Sequence, residues 1–448
     1  MTTHLIERRA FPVFKYGQDY QLAVQVWMAA PLFMLFGPSE FLLRLPLLIQ
    51  LLQRELRLRP WMALLVATPF LLAPPGTSMQ LIEPSGGNVE PLLMVPLLWL
   101  LRLHPLTFGA VLAVGFLQRV FAVYALGALL LVELADGSLF SRATATRYLR
   151  SAFAFAAVWQ TIGLVRAAAG SDFGPSTPVF TSAASSSNVN EALGRFCWDP
   201  GGLPHRIGQL FGDHLATMFG GRRVQLSGLG VPSASEQGID GLWLLVGGVL
   251  LCAVARLLWR TARGQIRPWH GRPQFALYLF LTGVLTVGAL LTSRCGSLDV
   301  HTLRYTLHTL LAVIGLVAAF LATEPSQGAR RLVVSVLAVW ALAAVWGHGR
   351  LLAEFARDPP QDHNRALAQY LVDHDIRYGF ADYWDAYSTV FWADEQVILT
   401  STTVVFITEY ERLALEHLDE AVWIYREPCD GGTRVTEIHY MCGPKAQE

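Results

Sequence analysis

Charge is scarce in this chain. Of 448 residues only 15% are charged, against about a quarter in an ordinary soluble domain. The 34 basic and 34 acidic side chains cancel to a formal net charge of zero. A nucleic-acid binder needs a basic excess to meet phosphates, so no nucleic-acid partner is expected. Lysine is nearly absent: only Lys15 and Lys445 occur, and the rest of the positive charge is arginine, a bias that a GC-rich genome also produces. Cysteine is sparse, at five residues, with no CxxC and no histidine pair at metal spacing. That excludes a small disulfide scaffold and argues against a structural zinc site. Disorder is excluded by the opposite sign, since 13 Trp, 13 Tyr and 24 Phe are far too many for a chain that cannot bury them.

What is present is apolar. Hydrophobic residues make up 53% of the chain and the mean hydropathy is +0.39. A bilayer crossing needs about 20 mostly apolar residues, fewer where helices are short or broken inside a bundle. Such segments fall near 40–53, 60–74, 91–103, 105–118, 121–135, 151–168, 239–257, 274–292, 303–322 and 332–347. The expectation is a mainly α, polytopic membrane helix bundle of about ten spans over residues 1–347. The two segments around Arg119 are short enough to be one bent helix.

Short loops fix the orientation, because arginine is retained on the cytoplasmic side. One set of alternate loops holds fourteen arginines, from Arg54, Arg57 and Arg59 through Arg102, Arg142, Arg147, Arg150, Arg256, Arg260, Arg263, Arg267 and Arg272 to Arg330 and Arg331. In the other set, 76–90 has no basic residue and two glutamates, and 293–302 has Arg294 alone. The first set is expected to face the cytoplasm. Ten spans then put both termini outside, yet Met1 to Ala10 has no apolar stretch to export an N-terminus. The expectation is a missing upstream helix, with one miscounted span near Arg119 as the alternative.

Two regions lie outside the spans on the non-cytoplasmic side. Residues 169–238 read as a long loop rich in Ser, Gly and Pro, with Ser185, Ser186, Ser187 and Asn188 in its most flexible part. Residues 348–448 read as an extracytoplasmic α/β domain. A helix is expected over Asp362 to His374 from the spacing of Ala366, Leu367, Tyr370 and Leu371. Strands are expected at Val397–Leu399, Val404–Ile407, Ala421–Tyr425 and Val435–Tyr440. In Tyr378 to Tyr387 the aromatics either line a sugar or acceptor surface or form a packed strand–helix turn. Cys429 and Cys442 flank two short strands joined by Asp430, Gly431 and Gly432; in an oxidising compartment they close a hairpin-sized loop, and otherwise they are two reduced thiols.

Polar groups concentrate at the outer ends of the spans. Gln18 and Asp19 belong to a cluster over 11–20 that leads into an amphipathic stretch, Val24 to Phe36. Glu83, Asn88 and Glu90 belong to a second, just before a span. Arg119, with Phe121 and Tyr124, is a third, and Asp299, His301, Arg304 and Tyr305 form a fourth. A charge at the membrane edge costs a few kcal/mol unless paired or hydrated. Each has a structural reading as well: Asp19 as a helix N-cap, Glu90 as an acid at a helix start, and Arg119 as a partner of Glu133 or Glu90. The functional reading joins them. Arginine neutralises the phosphate of a lipid-linked sugar by bidentate hydrogen bonds, and a carboxylate takes the proton of an acceptor hydroxyl as it attacks the sugar carbon.

These residues resemble the GT-C glycosyltransferases, integral-membrane enzymes that take sugars from polyprenyl-phosphate donors, such as the protein mannosyltransferase and aminoarabinose transferase families. Phe14-Lys15-Tyr16-Gly17-Gln18-Asp19-Tyr20, with Phe36-Gly37 to Leu43-Arg44-Leu45-Pro46, is similar to that family's first outer loop and following helix. Arg304-Tyr305 is similar to the Arg-Tyr where its last large loop re-enters the membrane, and a soluble domain after the final span also fits. The resemblance implies inverting transfer to an extracytoplasmic glycan, lipid or protein acceptor, in the plasma (inner) membrane, and a divalent cation where one is used. Glu83, Glu90 and Asp19 are the candidate bases; Arg304, Arg119, Tyr305, His301, Gln18 and Asn88 are the candidate substrate-binding residues; no metal ligand is assigned. One departure matters: the family's Asp or Asp-Glu before the Gly-Gln-x-Tyr segment has no counterpart in His4 to Ala10. Two other classes remain as alternatives, a transporter or flippase for a lipid-linked sugar, which needs polar residues at mid-span, and a catalytically inactive scaffold.

Overall fold

The computed structural model describes residues 14–15, 18–22, 46–82, 93–118, 121–169, 199–226, 232–234, 240–293, 298, 300–357, 362–403, 405 and 407–442. Of the 24–36 stretch, the serine run at 185–188, Glu83, Asn88, Glu90, Arg119 and Asp299, nothing is described. The chain first forms a small antiparallel hairpin of β1 (Phe14–Lys15) and β2 (Gln18–Leu22). The N-cap expectation for Asp19 therefore fails: the backbone stays extended through Leu22, so Asp19 sits inside a strand.

Helices follow, and proline marks where they begin. After α1 (Pro46–Leu56), Pro60, Pro75, Pro105 and Pro273 are the first residues of α2 (Pro60–Val66), α4 (Pro75–Ile82), α6 (Pro105–Gln118) and α12 (Pro273–Ser293). At that position the missing N–H has no helical partner to lose. The other helices of this part are α3 (Thr68–Leu71), α5 (Val95–Leu101), α7 (Ala122–Asp136), α8 (Arg142–Ala169), α9 (Leu203–Gln209), α10 (Leu215–Met218), α11 (Gly241–Ala262), α13 (Thr309–Thr323) and α14 (Gln327–Arg357).

Among the described residues three helices are long and apolar enough to cross a membrane: α11, α12 and α14. The count of ten is corrected accordingly. Two more helices, α6 and α13, are apolar but shorter. The 60–74 segment is split into α2 and α3, where Pro69 lacks the N–H that would continue the ladder. In the 91–103 segment the described residues form α5, preceded by the π-helical residues 93–94, and α6 and α7 are separate helices on either side of Arg119. The long helices also expose apolar stripes that water would not tolerate. Leu244, Leu251 and Leu258 on α11, and Leu332, Val339 and Trp346 on α14, lie exposed at seven-residue spacing. Exposed apolar surface of that extent marks contact with lipid or another apolar phase.

The bundle core is tight. Trp99 packs against Phe275 and Tyr278, and the Tyr278 hydroxyl donates to the Val95 carbonyl at 2.9 Å. Where α12 crosses α13, a Cβ on Gly315 would stand 2.3 Å from the Ala276 carbonyl oxygen, so only glycine permits that approach. At one end of the bundle Glu324, buried just past α13, accepts from Arg256 Nε and Nη2 at 2.7 and 2.8 Å and lies 3.7 Å from Arg260. The Arg256 bonds hold its carboxyl at about 2 against the opposing effect of burial. At the same end Glu133 is bound by Arg147 at 2.5 Å and by the Tyr148 hydroxyl at 2.9 Å, so it is not waiting for Arg119.

Residues 362–442 have hydrophobic cores of their own. Helix α15 (His363–Asp373) starts where expected, its cap Asp362 accepting from the Arg365 N–H at 3.0 Å. Strands β5 (Tyr378–Ala381), β6 (Ile398–Ser401), β7 (Val422–Tyr425), β8 (Thr433–Arg434) and β9 (Tyr440–Cys442) form a mixed sheet in the order β6-β5-β7-β9-β8, with β5 parallel to both neighbours. Ala381 packs with Ala386 and Val390 of α16 (Tyr383–Trp392), while Phe380, on the other face, packs with Ala414 of α17 (Thr408–Glu416). The result is an α/β unit with helices on both faces of its sheet. Tyr378 to Tyr387 is thus a packed strand–helix turn. Two strand expectations are corrected. Ile407 is the residue before α17 rather than part of a strand, and 435–439 is the loop joining β8 to β9. Cys429 and Cys442 form a disulfide, but Asp430 to Gly432 precede both strands instead of joining them.

Candidate functional site

The end of the bundle opposite Glu324 gathers the polar groups that the sequence singled out. A short 3-10 helix, Val300–Tyr305, leads into α13. Arg304 and Tyr305 sit side by side on it: Arg304 Nη2 donates to the Tyr305 hydroxyl at 3.3 Å, and the guanidinium carbon stands 5.1 Å from the Tyr305 ring centre. Phe121, at the start of α7, meets the Tyr305 and His308 rings edge-on at 6.2 and 5.9 Å. Thr306 donates to the Leu303 carbonyl and so accepts from His214 Nε2, 2.5 Å away. Helix α4 packs on the same turn.

His214 belongs to a helical segment that sequence analysis treated as loop. Leu203 to Met218 runs as α9, a π turn (Leu210–His214) and α10. The end of α10 and the loop beyond it are pinned at three points. The Met218 carbonyl accepts from the Thr77 hydroxyl at 2.7 Å, and the Phe219 carbonyl accepts from the Trp340 indole at 2.8 Å. The Phe219 ring lies flat on Trp243 at 5.6 Å. Gly220 takes a positive φ of 83° against Pro74, a conformation that other side chains resist.

This rigid loop presents Arg222 and Arg223 to a cavity of about 120 Å³, room for roughly four waters or one tetrahedral anion. Trp243, Trp340, Trp346, Arg350, Asp240 and Glu354 complete its charged and aromatic wall. Arg222 is paired with Asp213 at 2.6 Å and donates to the Gly212 carbonyl at 3.0 Å, and Arg223 is paired with Glu354. Asp240 caps α11, accepting from the Leu242 N–H at 2.9 Å. Arg350 is exposed and has no ion-pair partner among the described residues. Asp213 and His214 are adjacent, so one π turn links the Arg222 side of the cavity to the Arg304 turn.

Of the nine residues expected at the site, the structure joins Arg304 and Tyr305. His301 lies on the same turn, with only its backbone described. Gln18 and Asp19, likewise described only in backbone, are on β2, which packs against α6. Glu83, Asn88, Glu90 and Arg119 lie outside the described residues. Sequence reasoning missed His214, Arg222, Arg223 and Arg350. The signal was present: Arg222-Arg223 is an adjacent pair of arginines in a region assigned to the non-cytoplasmic side, where the short loops 76–90 and 293–302 hold only Arg294. Among the described residues, no three His, Cys, Asp or Glu side chains gather as a metal-binding group. Compared with known proteins, the chain matches no family model, no curated protein and no solved structure.

Proposed function

We propose that this chain is a multi-pass membrane glycosyltransferase of the GT-C type, moving a sugar from a polyprenyl-phosphate donor to a glycan, lipid or protein acceptor on the outer side of the plasma membrane, with inversion. The reading is carried by one observation: Arg222, Arg223 and Arg350 wall a cavity with three tryptophans, and the Asp213-His214 turn joins that cavity to Arg304-Tyr305, at the end of the spanning helices that the arginine bias assigns to the exterior. A guanidinium cluster at a membrane boundary is suited to a lipid-borne phosphate, because its hydrogen bonds strengthen as the leaving phosphate gains charge. Tryptophan, half apolar and half polar, suits the same depth.

In this reading Arg350 and Arg304 neutralise the departing phosphate. Arg222 and Arg223 are held by Asp213 and Glu354 and set the local potential. A carboxylate removes the acceptor proton. Glu83, directly after α4 in sequence, is the first candidate, with Glu90 and Asp19 next.

The experiment is transfer of label from polyprenyl-phosphate sugars in membranes carrying the protein expressed from its own locus. Arg304→Ala should lower the rate on the order of a hundredfold, the effect of losing one donor to developing negative charge. No transfer from any polyprenyl-phosphate sugar, or transfer undiminished in Arg304→Ala combined with Arg350→Ala, refutes the reading.

A further inference from the structure

Helix α16 of the α/β unit buries one face and leaves the other bare. Ala386 and Val390 point into the core, whereas Trp384, Phe391 and Trp392 are 59%, 75% and 45% exposed. Three large apolar rings on ten residues of a solvated helix are a liability unless something covers them.

The position of this helix restricts what that cover is. Asn364, the second residue of α15, donates to the Trp384 carbonyl at 3.4 Å, and the Arg365 guanidinium carbon lies 5.4 Å from the Trp392 ring centre. Both ends of the bare face are therefore touched by the first residues of the unit. Those residues are tethered closely. Asp362 follows Arg357, the last residue of α14, by five positions, a reach of at most about 18 Å when fully extended. Helix α14 has 31 residues and spans about 46 Å, the thickness of a bilayer with its headgroups. Its last turns, with exposed Leu352 and Phe355 among Arg350, Glu354 and Arg357, have the composition of an interfacial segment.

We infer that Trp384, Phe391 and Trp392 dock the α/β unit onto the outer surface of the membrane that α14 crosses, the rings entering the headgroup region and Arg365 meeting lipid phosphate beside Trp392. Tryptophan favours that depth because its ring is apolar and its N–H needs a partner. The docking needs α14 in the bilayer and does not depend on the transferase reading.

The test uses the full chain in liposomes of phosphatidylethanolamine and phosphatidylglycerol. Photoreactive benzoylphenylalanine replaces Phe391 in one variant and Trp384 in another; both side chains are exposed, so folding is little disturbed. A third variant carries it at Glu416, exposed on α17 across the sheet. Irradiation and mass spectrometry should find lipid adducts at 391 and 384 and their loss at 416. Adducts to another segment of the chain or to a second copy, equal lipid labelling at 416, or no adduct at 391 and 384 would each overturn the docking.

Discussion

Replacing Asp385 by Asn should loosen the α/β unit by an amount the geometry sets. Asp385 is buried at the start of α16 and accepts from Arg426 Nε and Nη2 at 2.8 and 2.7 Å. The buried His439 Nε2 stands 3.5 Å away. Burial pushes the carboxyl up, but the nearby His439 and the two Arg426 hydrogen bonds outweigh it and hold it at about 2, against an ordinary 3.8. A folded value below the unfolded one means that the contribution is complete above pH 3.8 and is lost as pH falls through 2. The difference between these values converts to roughly 2.5 kcal/mol. Arg426 is about half exposed, so solvent screening lowers this to about 2 kcal/mol. That is a rise of roughly thirtyfold in the unfolded fraction.

Pulse proteolysis of the detergent-solubilised full chain through a urea series measures it, following the fragment that contains 362–442. Asp385→Asn should shift the transition by about 2 kcal/mol at pH 7, and the gap to wild type should close between pH 4 and pH 2. A variant within about 0.5 kcal/mol of wild type at pH 7, or a gap that persists at pH 2, would show that the carboxylate is not the clamp.

Gly315→Ala places a Cβ against the Ala276 carbonyl and should destabilise the bundle by about 1–3 kcal/mol, read as a lower melting temperature in detergent. Gly288→Ala, where a Cβ meets nothing, should leave it unchanged. Cys429→Ser with Cys442→Ser opens a loop with a sequence separation of 13, which costs about 3 kcal/mol in chain entropy, and should raise protease sensitivity of the α/β unit alone. Glu324→Ala strips Arg256 and Arg260 of their shared partner; it should destabilise the bundle by about 2–3 kcal/mol, while Arg331→Ala, on an exposed residue, should be neutral.

Local signals were legible where a short stretch decided its own structure. Asp362 with apolar residues at helical spacing gave α15, the Tyr378–Tyr387 run gave a strand and the helix after it, and the cysteines met. Fold-level features depended on partners far along the chain. Span lengths were overread because a hydropathy window does not register Pro69 splitting one segment, or a bundle interior that lets α5 and α13 stay short. The Leu203–Met218 helices were hidden by the Ser-, Gly- and Pro-rich sequence around them. Arg350 carried no local motif at all; only the fold brings it to Arg222, Arg223 and three tryptophans.

A prenyl-carried phosphate should rest in the cavity walled by Arg222, Arg223 and Arg350. A photoreactive polyprenyl-phosphate sugar, with its diazirine next to the phosphate, should label peptides containing 217–223 and 340–354 in the full chain, in competition with unmodified donor. Labelling confined to the Glu324 end, or labelling that excess donor does not displace, would contradict it.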